Sequence, residues 1–109
     1  LCSVYDWTSG FYPGSLWYAY ELTGNDTLKT WAIQYTNLLN PVRYYTGTHD
    51  LGFMVNCSYG NAERLAPNDT IAAVMKETAD NLCGRFNDSI SAIRSWDSEP
   101  GTSPLSSII

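Results

Sequence analysis

Gly10-Phe11 returns as Gly52-Phe53, and Asn25-Asp26-Thr27 returns as Asn68-Asp69-Thr70. The spacing of these two echoes is about 42 to 43 residues, in the range of two-helix repeats, and it constrains the fold more than any other feature of the chain. In the first unit a helix is predicted from about Tyr12 to Leu22. Pro13 stands in its first turn, where a missing N–H costs nothing, and Gly24 is the stop. Leu16, Trp17, Tyr18, Ala19 and Tyr20 make this helix apolar nearly all round, the mark of an inner helix with neighbours on several sides. Asn25 caps a second helix, in which Leu28, Trp31, Ala32, Tyr35, Leu38 and Leu39 fall on one stripe, as in a surface helix with one buried face. Asn40-Pro41 ends it, and residues 42–50 read as a loop with Gly47 as a turn residue.

The second unit repeats the plan. Gly52-Phe53 opens a helix to about Leu65, and Pro67-Asn68-Asp69-Thr70 starts another, with a stripe of Ile71, Val74, Met75, Thr78, Ala79, Leu82 and Phe86. Residues 88–97 begin a third unit, whereas 98–109, rich in Pro, Gly and Ser, lack a helical continuation. The chain is therefore expected to be all-α: helical hairpin repeats over 1–97, with an irregular tail over 98–109. Such hairpins stack into an open solenoid or close into a toroid whose inner helices line the centre. In either case the loops entering the inner helices share one rim. Asp6-Trp7, His49-Asp50 and Trp96-Asp97 all lie on such loops. His49 is the sole histidine, and beside a carboxylate at a helix entrance it marks a candidate site. The bland alternative is that Asp50 caps the helix by accepting first-turn N–H groups.

Composition narrows the partners. The formal net charge is -5 and the six basic residues are scattered, which excludes nucleic acid and anionic membranes as main partners. No apolar run reaches the roughly 18 residues of a membrane span. Beginning at Leu1 without a charged head or apolar leader, the chain is expected to be processed or excerpted. Four Trp and eight Tyr are more aromatic surface than a domain of this size easily buries, which points to a larger core. Cys2, Cys57 and Cys83 have no metal-type spacing and an odd count, so buried thiols are expected, in keeping with a cytoplasmic origin. The sequons at Asn25, Asn56, Asn68 and Asn87 leave a secreted origin open, although two of them are also good helix-cap chemistry.

The strings Asp6-Trp-Thr-Ser-Gly-Phe-Tyr-Pro-Gly-Ser-Leu-Trp-Tyr-Ala-Tyr-Glu-Leu-Thr-Gly24, Thr48-His-Asp-Leu-Gly-Phe-Met54, Cys57-Ser-Tyr-Gly60 and Ala92-Ile-Arg-Ser-Trp-Asp97 closely resemble the unsaturated glucuronyl hydrolases of glycoside hydrolase family 88. The resemblance covers about residues 5–97 in order. It implies an (α/α)6 barrel of six helical hairpins, of which this chain would be the first third. It also implies a substrate, oligosaccharides left by polysaccharide lyases with a 4,5-unsaturated uronic acid at the non-reducing end. The family protonates C4 of that vinyl ether and adds water at C5, and the resulting hemiketal opens to release the sugar.

By the same resemblance, Asp50 matches one of two catalytic aspartates, usually labelled the nucleophile and also a substrate contact. Its partner, the proton donor, lies in a later helix entrance that residues 98–109 do not match, so the 109 residues alone are expected to be inactive. Trp7 and Trp96 match aromatics that wall the sugar site, with core packing as the competing reading, and His49 bonds the substrate or orients Asp50. No cofactor and no metal are implied. Asp6 and Asp97 read as caps, and Arg94 as the partner of a nearby Asp rather than of a uronate. The alternatives are the related family 105 rhamnogalacturonyl hydrolases, disfavoured by the His-Asp-Leu-Gly-Phe and Ile-Arg-Ser-Trp-Asp strings, and a non-catalytic helical-repeat binding fragment. Inner helices short of neighbours would expose an apolar face, with self-association as its consequence.

Overall fold

The computed structural model describes residues 2–95 and 97. Helix α1 spans Phe11–Thr23 and α2 spans Asp26–Asn37. Between them Gly24 takes φ 65 and sends its N–H to the Tyr20 carbonyl at 2.7 Å. That left-handed residue reverses the chain where a side chain would be strained. The Asn25 side chain then accepts the Thr27 N–H at 2.9 Å, so the tripeptide that repeats in the sequence is a cap in fact. Its second copy behaves alike: Asn68 accepts the Ile71 N–H at 3.0 Å and starts α4, Asp69–Cys83.

Between α2 and the second hairpin, where a loop was expected from residue 42, Asn40–Tyr44 forms a 3₁₀ turn. Pro41 suits its start, because the ring fixes φ and the missing N–H has no partner to lose there. The turn drives Val42 into full burial. The second inner helix is also less regular than its periodicity predicted. After Leu51 the chain runs as a π-helix over Gly52–Gly60, and only then as α3, Asn61–Leu65. Side chains satisfy carbonyls along this wide segment. The Ser58 hydroxyl lies 2.7 Å from the Met54 carbonyl and 3.2 Å from that of Val55, and the Asn61 amide donates to the Cys57 carbonyl at 2.8 Å. Such local bonds compete with the α-helical ladder.

The two inner helices meet backbone to backbone. A Cβ on Gly10 would come closer than 3.0 Å to the Phe53 and Met54 carbonyls, and one on Gly14 would lie 2.7 Å from that of Cys57. The core forms around this contact. Trp17, Met54, Val55 and Tyr59 are buried on the inner helices, and Ala32, Leu39, Ile71 and Val74 close over them from the outer layer. Trp17 is fully buried and donates its indole N–H to the Thr36 hydroxyl at 2.9 Å, which meets the polar demand of an otherwise apolar side chain.

The outer helices depart from the expected stripes at identifiable residues. On α2 the buried line is Ala32 and Thr36, continued past its end by Leu39, with Leu28 and Tyr35 half-buried, while Trp31 and, just past the end, Leu38 are exposed. On α4 Ala79 is exposed, and Phe86 leaves the helix altogether. It begins β1, Phe86–Asn87, which pairs antiparallel with β2, Ala92–Ile93, in the register Phe86 to Ile93 and Asn87 to Ala92. This small ribbon stands where a third helical unit was expected to begin, and it is the one strand pair among the described residues. Helix α1 buries Pro13, Gly14, Leu16 and Trp17 on one side but leaves Tyr12, Tyr18 and Leu22 exposed on the other. The expected tail, 98–109, lies outside the described residues. Among the described residues no helix is long and apolar enough to cross a membrane.

Candidate active site

The loop before the π-helix carries Thr48, His49 and Asp50, and local bonds give Asp50 its direction. The Thr48 hydroxyl accepts the Asp50 backbone N–H at 3.2 Å and donates to Asp50 Oδ2 at 3.1 Å. The Asp50 backbone carbonyl accepts the N–H groups of Phe53 at 2.9 Å and Met54 at 3.1 Å. Asp50 thus opens the helix through its backbone. Its carboxylate accepts from the Thr48 hydroxyl and faces His49 Nε2. The side chain is 20% exposed, and Oδ1 lies 3.4 Å from His49 Nε2.

His49 is anchored from the far end of the chain. Its backbone N–H and its ring Nδ1 both meet the Ser95 carbonyl, at 2.5 and 2.7 Å. A carbonyl only accepts, so Nδ1 carries a proton, and that assignment turns Nε2 toward Asp50. Ser95 is buried and, with Arg94 and Asp97, lies beside the site loop. The Asp97 N–H closes the other end of this seam on the Gly47 carbonyl at 3.2 Å.

Trp7 stands at the head of α1, 51% exposed. Its ring meets Phe11 at 5.7 Å and Phe53 at 6.1 Å, and these two meet each other at 6.1 Å, all three edge to face. Phe53 lies one turn beyond Asp50, on the helix that Asp50 opens. Trp96 lies outside the described residues. Asp6 accepts both the N–H and the hydroxyl of Thr8, at 2.8 and 2.5 Å, and these bonds hold its carboxyl below the usual range. A cavity of about 470 Å³ between α1 and the π-helix, lined among others by Gly14, Tyr18, Asn56 and Cys57, includes neither Asp50 nor His49. Its volume is no argument for chemistry there, because the Cys57 thiol on its wall is pushed up by burial, away from reactivity. Among the described residues no cluster of His, Cys, Asp and Glu is arranged to hold a metal.

Ser95 and Arg85 were not singled out from the sequence. A backbone carbonyl acting as acceptor leaves no trace in residue identity, and Arg85 reads as an ordinary charge at the end of an amphipathic helix. Arg94 pairs with Asp97, and Arg85 Nη1 lies 3.4 Å from the same carboxylate. Arg94 first, then Arg85, hold the Asp97 carboxyl below its ordinary value of 3.8. A lowered carboxyl contributes stability above that value and loses it as pH falls through the lower folded value. Amide exchange at Asp97, whose N–H closes on Gly47, is therefore expected to stay protected near neutrality and to accelerate beyond its intrinsic acid dependence once pH drops below 3.8. Protection that survives full protonation of Asp97 would show that the ion pairs do not hold the seam.

No family model matches the chain. An unsaturated glucuronyl hydrolase of Formosa agariphila is 44% identical over 93 residues, covering 84% of this chain and 23% of the relative. A crystal structure of an unsaturated glucuronyl hydrolase specific for heparin superposes with a TM-score of 0.87 at 46% identity, over 91% of this chain and 27% of that one. A structure with the oligosaccharide dGlcA-Glc-Rha-Glc reaches a TM-score of 0.80 at 24% identity, over 91% and 27% of the two chains, and shares the fold. The helical hairpins described here match part of the (α/α)6 barrel of such structures. The chain spans about a quarter of the length of the relatives it matches, and over that stretch it is homologous to the unsaturated glucuronyl hydrolases of glycoside hydrolase family 88.

Proposed function

We propose that residues 1–97 form part of an (α/α)6 barrel and supply one arc of its active-site rim, in an enzyme that hydrates the 4,5-unsaturated uronic acid at the non-reducing end of lyase-generated oligosaccharides. The observation that carries this reading is Asp50, whose half-buried carboxylate accepts from the Thr48 hydroxyl and faces His49. In the reaction C4 gains a proton, water adds at C5, and the hemiketal opens to free the next sugar. Asp50 contacts the substrate and acts as one of two carboxylates, His49 holds it in place, and Trp7 with Trp96 offers flat faces to the planar unsaturated ring. Support also comes from the oligosaccharide carried by a structure of the same fold.

The substrate's conjugated double bond absorbs in the ultraviolet, and its disappearance is the assay. A polypeptide in which the barrel is completed around this chain is expected to remove that absorbance from unsaturated uronides. The isolated 109 residues are expected to leave it untouched, because the second carboxylate is missing. With Trp7, Tyr12, Phe53 and their neighbours exposed, they are also expected to bind a hydrophobic dye or self-associate. A completed barrel that leaves every unsaturated uronide intact would end the enzymatic reading. Turnover by the isolated chain would place the second carboxylate within it.

A further inference from the structure

We infer that Arg85 is a positioning residue for the His49-Asp50 site, acting through the seam that Arg94, Ser95 and Asp97 make with the site loop; the inference rests on the function proposed above. Arg85 lies just past the end of α4, and its side chain is 6% exposed. Two of the three guanidinium nitrogens meet pieces of the seam, and Nη2 is buried without a hydrogen bond among the described residues. Nε donates to the Arg94 carbonyl at 2.8 Å, Nη1 donates to the Thr46 carbonyl, and Nη1 also lies 3.4 Å from Asp97 Oδ1. The backbone adds a fourth tie, since the Arg94 N–H donates to the Arg85 carbonyl at 3.0 Å.

Thr46 is two residues before Thr48, whose hydroxyl directs Asp50, and Arg94 precedes Ser95, whose carbonyl anchors His49. One buried cation therefore grips both strands of the seam immediately outside the bonds that orient the two site residues. A rigid planar fork is suited to this, because it serves several acceptors at fixed angles. A lysine ammonium is a point charge on a flexible stem and cannot bridge the same set. Arg85 does not itself reach the Asp50 carboxylate by any bond described, so its effect on chemistry is through placement. Displacement of a reacting group by about 1 Å can cost on the order of 10²-fold in rate.

The test uses the polypeptide with the completed barrel, and compares Arg85→Met, which keeps an apolar stem but removes every donor, with Arg85→Lys. Thr36→Val, which removes the buried bond to Trp17 far from the seam, is the control for general destabilisation. Rates are taken well below each melting transition, and the His49 Nδ1 proton is followed by NMR. Arg85→Met is expected to lower kcat about 10- to 100-fold with little change in KM, and to lose the protected Nδ1 proton. Arg85→Lys should fall between, and Thr36→Val should melt earlier with kcat and the His49 signal intact. Wild-type kcat in folded Arg85→Met overturns the assignment. Where Arg85→Met does not fold, wild-type kcat with an undisturbed His49 signal in Arg85→Lys overturns it, and failure of both variants to fold makes Arg85 a structural residue only. If the wild-type barrel is itself inactive, the functional reading fails, while the His49 signal still decides whether Arg85 places that ring.

Discussion

Asp50→Asn, made in the completed barrel, is expected to lower kcat by about 10²- to 10⁴-fold or more, the usual toll for removing a group that manages protons in the transition state. At about 1.4 kcal/mol per tenfold, that is roughly 3 to 6 kcal/mol of lost transition-state stabilisation. Stability should change by no more than about 0.5 kcal/mol, the range of substitutions that break no buried network. The structure gives the reason for this separation. The helix start depends on the Asp50 backbone carbonyl, which the substitution keeps. An amide oxygen can still accept from the Thr48 hydroxyl, and an amide N–H can point at His49 Nε2, so the loop retains its bonds while the ionisable group is gone. Chemical denaturation and steady-state kinetics on the same preparation distinguish the two effects. Undiminished turnover would remove Asp50 from the chemistry, and a large loss of stability would return it to a structural role.

Gly10→Ala is expected to destabilise the fold by about 1 to 3 kcal/mol, the usual cost of forcing a methyl into a filled space. Gly52→Ala, which recreates the same dipeptide change in the second repeat, should be neutral or stabilising. In isolation each replacement would favour the folded state by about 0.4 to 1 kcal/mol through the unfolded chain, and Gly10 has an ordinary helical φ of -76 that alanine accepts. The difference is steric. At Gly10 the methyl would drive into the Phe53 and Met54 carbonyls, which belong to backbone and cannot swing aside, whereas at Gly52 nothing lies within 4 Å. Urea unfolding of the two variants in the completed barrel settles the point. Equal stabilities would mean that the two inner helices do not approach as closely as described here.

The two glycines also show what was legible in the sequence and what was not. Gly10-Phe11 and Gly52-Phe53 betrayed the repeat, and the repeat gave the order of helices, because capping asparagines and stop signals act locally. Their different surroundings were invisible, since close approach is a property of two segments some forty residues apart. The π-helix was hidden for a related reason: it depends on which carbonyls Ser58 and Asn61 reach, and an apolar helix with small residues has the same pattern in either winding. Trp31, Leu38 and Phe86 were misplaced on their stripes because hydrophobicity was read as burial, although apolar side chains contribute much of any folded surface. For the site, the His49-Asp50 string marked the loop, and the resemblance suggested its chemistry. The partner of His49 could not be read, because a carbonyl at Ser95 would be present whatever residue stood there.

The anchoring of His49 on Ser95 sets an order on events at the ribosome. The two are 46 residues apart, and at about 5 to 20 residues per second their emergence is separated by roughly 2 to 9 s. Helices and hairpins form in microseconds, so α1, α2 and the π-helix have ample time to pack while the imidazole still lacks its distal acceptor. During that interval Asp50 keeps its bonds to Thr48 and to the helix it opens, without the anchor that Ser95 gives His49. The carboxylate acquires its final orientation late in the synthesis of this stretch, when Arg94 and Ser95 arrive beside it, and a nascent chain that has not yet reached them carries the residues of the site without their arrangement.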